Sequence, residues 1–140
     1  MKYVYPISDI IIGVDIVSVS RFETFIHRFG RNFKELIFTS YELEQCDESI
    51  QRLAARYAAK EATSKALQVG LAHMSKRGIS ATEIEVSTQI GGAPKLKLYG
   101  SASKLAHQMQ IQALKVSLSH EKDYAIAMVT GVGRKWKALW

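Results

Sequence analysis

The 140-residue sequence carries a single cysteine, Cys46, so no disulfide can form within the chain. A reducing, cytoplasmic setting is the expectation. Long apolar runs are also missing. The start, "MKYVYPISDIIIGVDIV", is broken by Asp9 and Asp15 and suits neither a signal peptide nor a membrane span. There is no internal repeat and no low-complexity tract. GxGxxG, GxxxxGKS/T, CxxC pairs and HExxH are all absent, which removes support for their nucleotide, redox and zinc chemistries. Acidic residues are the minority: 13 against 19 Lys and Arg, a net charge of +6 and a pI near 9.5. That balance favours acidic partners such as nucleic acid, anionic membrane, phosphorylated ligands or an acidic protein. With 47% hydrophobic and 23% charged residues the composition is that of an ordinary globular protein. One domain over 1–140 is expected, with 1–9 and 131–140 as peripheral tails.

Periodicity supplies the elements. "IIIGVDIV" (10–17) reads as a buried strand. Residues 20–30 carry Phe22, Phe25, Ile26 and Phe29 at helical spacing, with Gly30 as a stop. Thr39 and Glu42 stand at capping-box spacing and predict a short helix over 39–46. A long helix follows over 49–69, punctuated by Gly70, then a loop over 71–80. "TEIEVST" and "KLKLYG" alternate across a "QIGGAP" turn and read as a hairpin. Residues 101–109 form a helix capped by Ser101 or Ser103. Residues 113–120 and 123–130 form a second hairpin. Two hairpins and a lone strand predict an α+β fold, a small antiparallel sheet with helices packed on it.

The long helix, centred on "RYAAKEATSKAL" (56–67), holds a misplaced charge. Ile50, Leu53, Ala54 and Tyr57 cluster on one stripe, and Glu61 falls in its middle with Lys65 at i+4. Arg52, Arg56 and Lys60 form a flanking basic stripe. Ala55, Ala59, Ala62 and Ala66 lie opposite Glu61 and permit close approach of another backbone, which in so short a chain is open to a neighbouring subunit. Glu61 and Lys65 read most simply as a surface pair of about 0.3–0.5 kcal/mol. A carboxylate on a core-facing stripe, however, requires a partner or a metal. Asp15, inside an isoleucine- and valine-rich strand, poses the same requirement. Two carboxylates on rigid elements beside lysine suit magnesium bridging to phosphate. "SLSH" (117–120) places His120 at a strand end, where ligands are commonly contacted.

In this order "IGVDIV", "RYAAKEATSKAL", "GAPKLKLYG" and "VSLSHEKDYAIAMV" resemble holo-acyl-carrier-protein synthase, the small bacterial 4′-phosphopantetheinyl transferase family, over roughly 10–130. The resemblance implies magnesium as cofactor, coenzyme A as substrate and an acidic apo-acyl carrier protein as partner, in a homotrimer with the site between subunits. It implies no nucleic-acid or membrane role. Asp15 and Glu61 match the magnesium ligands, and Glu61 and Lys65 the catalytic positions. Arg56, Lys60, Ser64, Lys65 and His120 match the coenzyme A site. The sequence departs from the family pattern at "QVG" (68–70) and at Glu121. On the first helix, Arg21 and Arg28, with Arg31 beyond, form an edge expected to dock the carrier. A non-catalytic module binding coenzyme A or an acidic carrier is the alternative.

Overall fold

Ser18, Thr39 and Ser49 each end an extended stretch and start a helix. Their hydroxyls accept the backbone N–H of Arg21, Glu42 and Arg52. The computed structural model describes residues 4–72 and 78–138, with side chains for 9–72 and 78–134. Its elements are β1 (Val4–Ser18), α1 (Val19–Ile37), α2 (Ser40–Cys46), α3 (Ile50–Ala66), β2 (Ile84–Thr88), β3 (Pro94–Leu98), α4 (Gly100–Gln108), β4 (Ile111–His120) and β5 (Tyr124–Ala138). The expected α+β class holds, with two antiparallel sheets instead of one. β5 lies between β1 and β4, and β2–β3 pair separately.

Several boundaries move for local reasons. Gly30 does not stop α1. It takes φ 69° and kinks the helix, which resumes to Ile37. The α2 capping box forms as the Thr39/Glu42 spacing implies. α3 ends before Gly70, because Gln68 takes φ 60°. Gln68 N–H then reaches Lys65 O and Val69 N–H reaches Ser64 O, both at 3.0 Å, the paired bonds of a left-handed helix stop. Neither Ser101 nor Ser103 caps α4. Its N-cap is Tyr99, and the Glu83 carboxylate takes the N–H of Ser101 at 2.9 Å. The segments set aside as tails pair with each other, from Val4↔Ala138 to Asp9↔Gly133. Residues 1–3, 73–77 of the expected loop, and 139–140 lie outside the described residues.

α3 lies against the inner face of the three-stranded sheet. Ala59, Ala62 and Ala66 bury against Ile11, Ala127 and Val129. The alanine face is therefore covered by this chain's own strands. Gly13 makes the approach possible, since a Cβ there would meet the carbonyl of Ala62. A second cluster joins Phe22, Ile26, Phe38, Leu53 and Ala54, with Tyr57 packed on it. Cys46 sits in that cluster as a free thiol, fully buried, and burial pushes its pKa up. The outer face of the sheet is different. Ile10, Ile12, Val14 and Ile16 of β1 are 51–80% exposed, beside Ile126 and Met128 of β5.

Candidate active site

Strand parity and helix phase bring the site together. Ile11, Gly13, Asp15 and Val17 share the face of β1 that looks at α3, because successive strand residues alternate sides. Glu61 and Lys65 lie one turn apart on the facing helix. The Lys65 ammonium donates to Asp15 Oδ1 at 2.9 Å and to the Val14 carbonyl at 3.1 Å. Asp15, Glu61 and Lys65, with Tyr57, Ser18, Arg21, Phe22, Phe25 and Phe33, line an open cleft of about 620 Å³. Glu61 is 8% exposed, and the Tyr57 hydroxyl donates to it. Burial, and then the charge and hydrogen bond of Glu61, hold the Tyr57 phenol above its ordinary value of 10.0, so it remains a donor.

The donor set suits magnesium. Among the described residues no group of three or more His, Cys, Asp or Glu could hold a metal. Two carboxylate-bearing residues remain in the cleft, Asp15 and Glu61. Magnesium is usually held by only one or two protein carboxylates, the rest of its shell being water and phosphate oxygen. The Lys65 ammonium beside Asp15 already shows that this position is compensated by positive charge.

The remaining residues of the expected set do not join this cleft. Arg56 and His120 line a second cleft of about 430 Å³ with Arg52, Gln45, Thr88, Gly92 and Pro94. Arg56 is 8% exposed, and its buried Nε has no hydrogen-bond partner among the described residues, a donor matched to an anionic oxygen. Glu121, exposed in the turn after His120, does not line it. Lys60 and Ser64, expected in the coenzyme A set, line neither of these two clefts. Lys60 follows the phase of α3 away from Glu61 and is fully buried. Its ammonium donates to Glu42 Oε1 at 2.6 Å, to the Ala81 carbonyl at 2.9 Å and to the Ile84 carbonyl. Burial pulls the Lys60 pKa below its ordinary value, and the Glu42 charge offsets part of that. Ser64 Oγ is spent within the helix, on the Glu61 carbonyl at 2.8 Å.

On α1, Arg21 stands at the cleft, Arg28 lies 5.5 Å over the Phe29 ring, and Arg31 pairs with Glu35 at 2.9 Å beyond the kink. The exposed rings of Phe25 and Phe29 sit 4.5 Å apart between them. Tyr57 is the cleft residue the sequence reading assigned to the core alone. Its place one turn before Glu61 was the available signal.

Residues 11–129 match the model of the 4′-phosphopantetheinyl transferase superfamily. The chain is 40% identical over 126 residues to a holo-acyl-carrier-protein synthase of Herpetosiphon aurantiacus, covering 89% of this chain and 99% of that one. It is 42% identical over 121 residues to the Vibrio cholerae synthase, covering 84% and 93%. The Helicobacter pylori synthase, solved in complex with coenzyme A, superposes with a TM-score of 0.76 at 36% identity, covering 86% and 98%. The Plasmodium yoelii synthase with ADP bound gives 0.78 at 28% identity, covering 91% and 98%. Matched in sequence over most of its length and in fold, this chain belongs to the 4′-phosphopantetheinyl transferase superfamily, among the holo-acyl-carrier-protein synthases.

Proposed function

We propose that the enzyme transfers the 4′-phosphopantetheine arm of coenzyme A to a serine of an apo-acyl carrier protein, releasing 3′,5′-ADP, with magnesium as cofactor and in the cytoplasm. The observation that carries the reading is the meeting of Asp15, Glu61 and Lys65 in one cleft. Asp15 and Glu61 would hold the ion, which when bound supplies positive charge to the diphosphate oxygens. The serine hydroxyl oxygen attacks the phosphorus bearing the pantetheine arm. The bond from that phosphorus to the bridging oxygen breaks, and the electron pair leaves with 3′,5′-ADP. Glu61 is the protein group we assign to take the serine proton. Lys65 exchanges its bond to Asp15 for the phosphate oxygens, where its point charge offsets what develops on the leaving group. Arg21, Arg28 and Arg31, around the exposed Phe25 and Phe29, form the docking edge for the acidic carrier.

Two observations support a homotrimer. An apolar sheet face with Ile10, Ile12, Val14 and Ile16 exposed is material for a subunit contact. The expected ligand residues also divide between two clefts, as they must if one chain offers Asp15, Glu61 and Lys65 and its neighbour Arg56 and His120. The test of the activity is a transfer assay with coenzyme A, magnesium and apo-carrier, reading 3′,5′-ADP release and the mass of the carrier. Asp15→Ala and Glu61→Ala are each expected to lose at least ~10²-fold, the upper range for residues one shell further out. Binding of coenzyme A with no 3′,5′-ADP release in the wild type would leave a binding module instead.

A further inference from the structure

We propose that Tyr57 is a positioning residue that presents the Glu61 carboxylate to the metal. The inference rests on the reading of Asp15 and Glu61 as the magnesium-holding pair. Tyr57 and Glu61 are one turn apart on α3 and line the same cleft. The phenol hydroxyl donates to the carboxylate. The last torsion of a glutamate is broad and nearly two-fold, so by itself it leaves the two oxygens free to swing. The Tyr57 ring is much stiffer. It stacks on Phe22 at 5.4 Å between centroids, and Phe22, 5% exposed, meets the buried Phe38 edge-on at 6.3 Å. The orientation of the core is thereby passed through two rings and one hydrogen bond to the carboxylate. A carboxylate already turned toward its ion loses less freedom on binding, and such outer partners typically govern metal affinity by ~10–100-fold.

The experiment measures binding of Mn²⁺ alone to the full-length protein by electron paramagnetic resonance, with magnesium activation of transfer as a second readout. Tyr57→Phe keeps the ring and removes the hydroxyl. The expected result is a Kd for Mn²⁺ raised ~10-fold or more, with kcat largely recovered at saturating magnesium and the KM for carrier unchanged. An unchanged Mn²⁺ Kd in Tyr57→Phe, where Asp15→Ala has lost binding, overturns the role of Tyr57 and leaves the metal site standing. Undiminished binding in Asp15→Ala, or none in the wild type, overturns both. Phe22→Leu keeps the hydroxyl but loosens its support, and is expected to raise the Kd less than Tyr57→Phe. An equal rise would mean general loosening and would likewise overturn the assignment.

Discussion

Replacing Gly13 with alanine tests how tightly the two halves of the cleft are joined. The added methyl would lie 1.9 Å from the Ala62 carbonyl oxygen and 2.9 Å from the Ala66 nitrogen. Both are backbone atoms of α3, and no rotamer change removes them. Reaching ordinary contact at 3.4 Å requires strand and helix to part by 3.4 − 1.9 = 1.5 Å. Asp15 is two residues along that strand and Glu61 is next to Ala62, so the displacement falls on the carboxylate pair. Overpacking of a core typically costs ~1–3 kcal/mol, and backbone against backbone belongs at or above that upper end. A misplacement of ~1 Å is enough for a loss of ~10²-fold in rate. Gly13→Ala is therefore expected to lose ~3 kcal/mol or more in urea unfolding followed by circular dichroism, and ~10²-fold in kcat. Gly30→Ala is the control. It meets nothing within 4 Å and bears only the backbone penalty of φ 69°, ψ −155°, a region nearly exclusive to glycine, at about 1–3 kcal/mol, with kcat near wild type. A Gly13→Ala enzyme within about 0.5 kcal/mol of wild type and near it in kcat would refute the close approach of β1 to α3.

Lys60→Met leaves the Glu42 carboxylate buried without its ammonium and is expected to cost about 3–5 kcal/mol in unfolding. Adding Glu42→Gln should return part of that loss, and a purely additive double variant would show the pair uncoupled. Val14→Glu on the open sheet face is expected to convert a trimer to monomers in light scattering and to abolish transfer; an active wild-type monomer would defeat the shared-site reading. Arg21→Glu with Arg28→Glu should raise the KM for carrier while coenzyme A binding holds, and equal loss of both would defeat the docking edge.

The parts of the fold legible in the sequence were those set by neighbours along the chain. Thr39 and Glu42 mark the start of α2 because both halves of a capping box lie within one turn. Asp15 and Glu61 stood out because each is a charge in an apolar frame, and the structure places both in one cleft. The burial of Lys60 was not legible, since a helical wheel places it on a basic stripe while its partner Glu42 lies 18 residues away and meets it only through packing. The alanine face announced close approach of another backbone but left open whether it came from a neighbouring subunit, because nothing local indicates that Gly13 brings β1 against it. The pairing of Val4 with Ala138 joins the two ends of the sequence, beyond any window of periodicity. The division of the expected ligand residues between two clefts is likewise invisible on a wheel, which shows Arg56 and Glu61 on one helix without the strands each one faces.

Helix α3 buries 12 of its 17 residues, so it has almost no solvent-facing side on which to accept drift. Most side-chain changes between Leu53 and Ala66 must be absorbed by a strand, a hairpin or the cleft itself. A saturation library of this protein should therefore show one continuous intolerant block there. Redesign for solubility, labelling or immobilisation belongs on α4, where only Ala102 is buried and a new side chain meets water first.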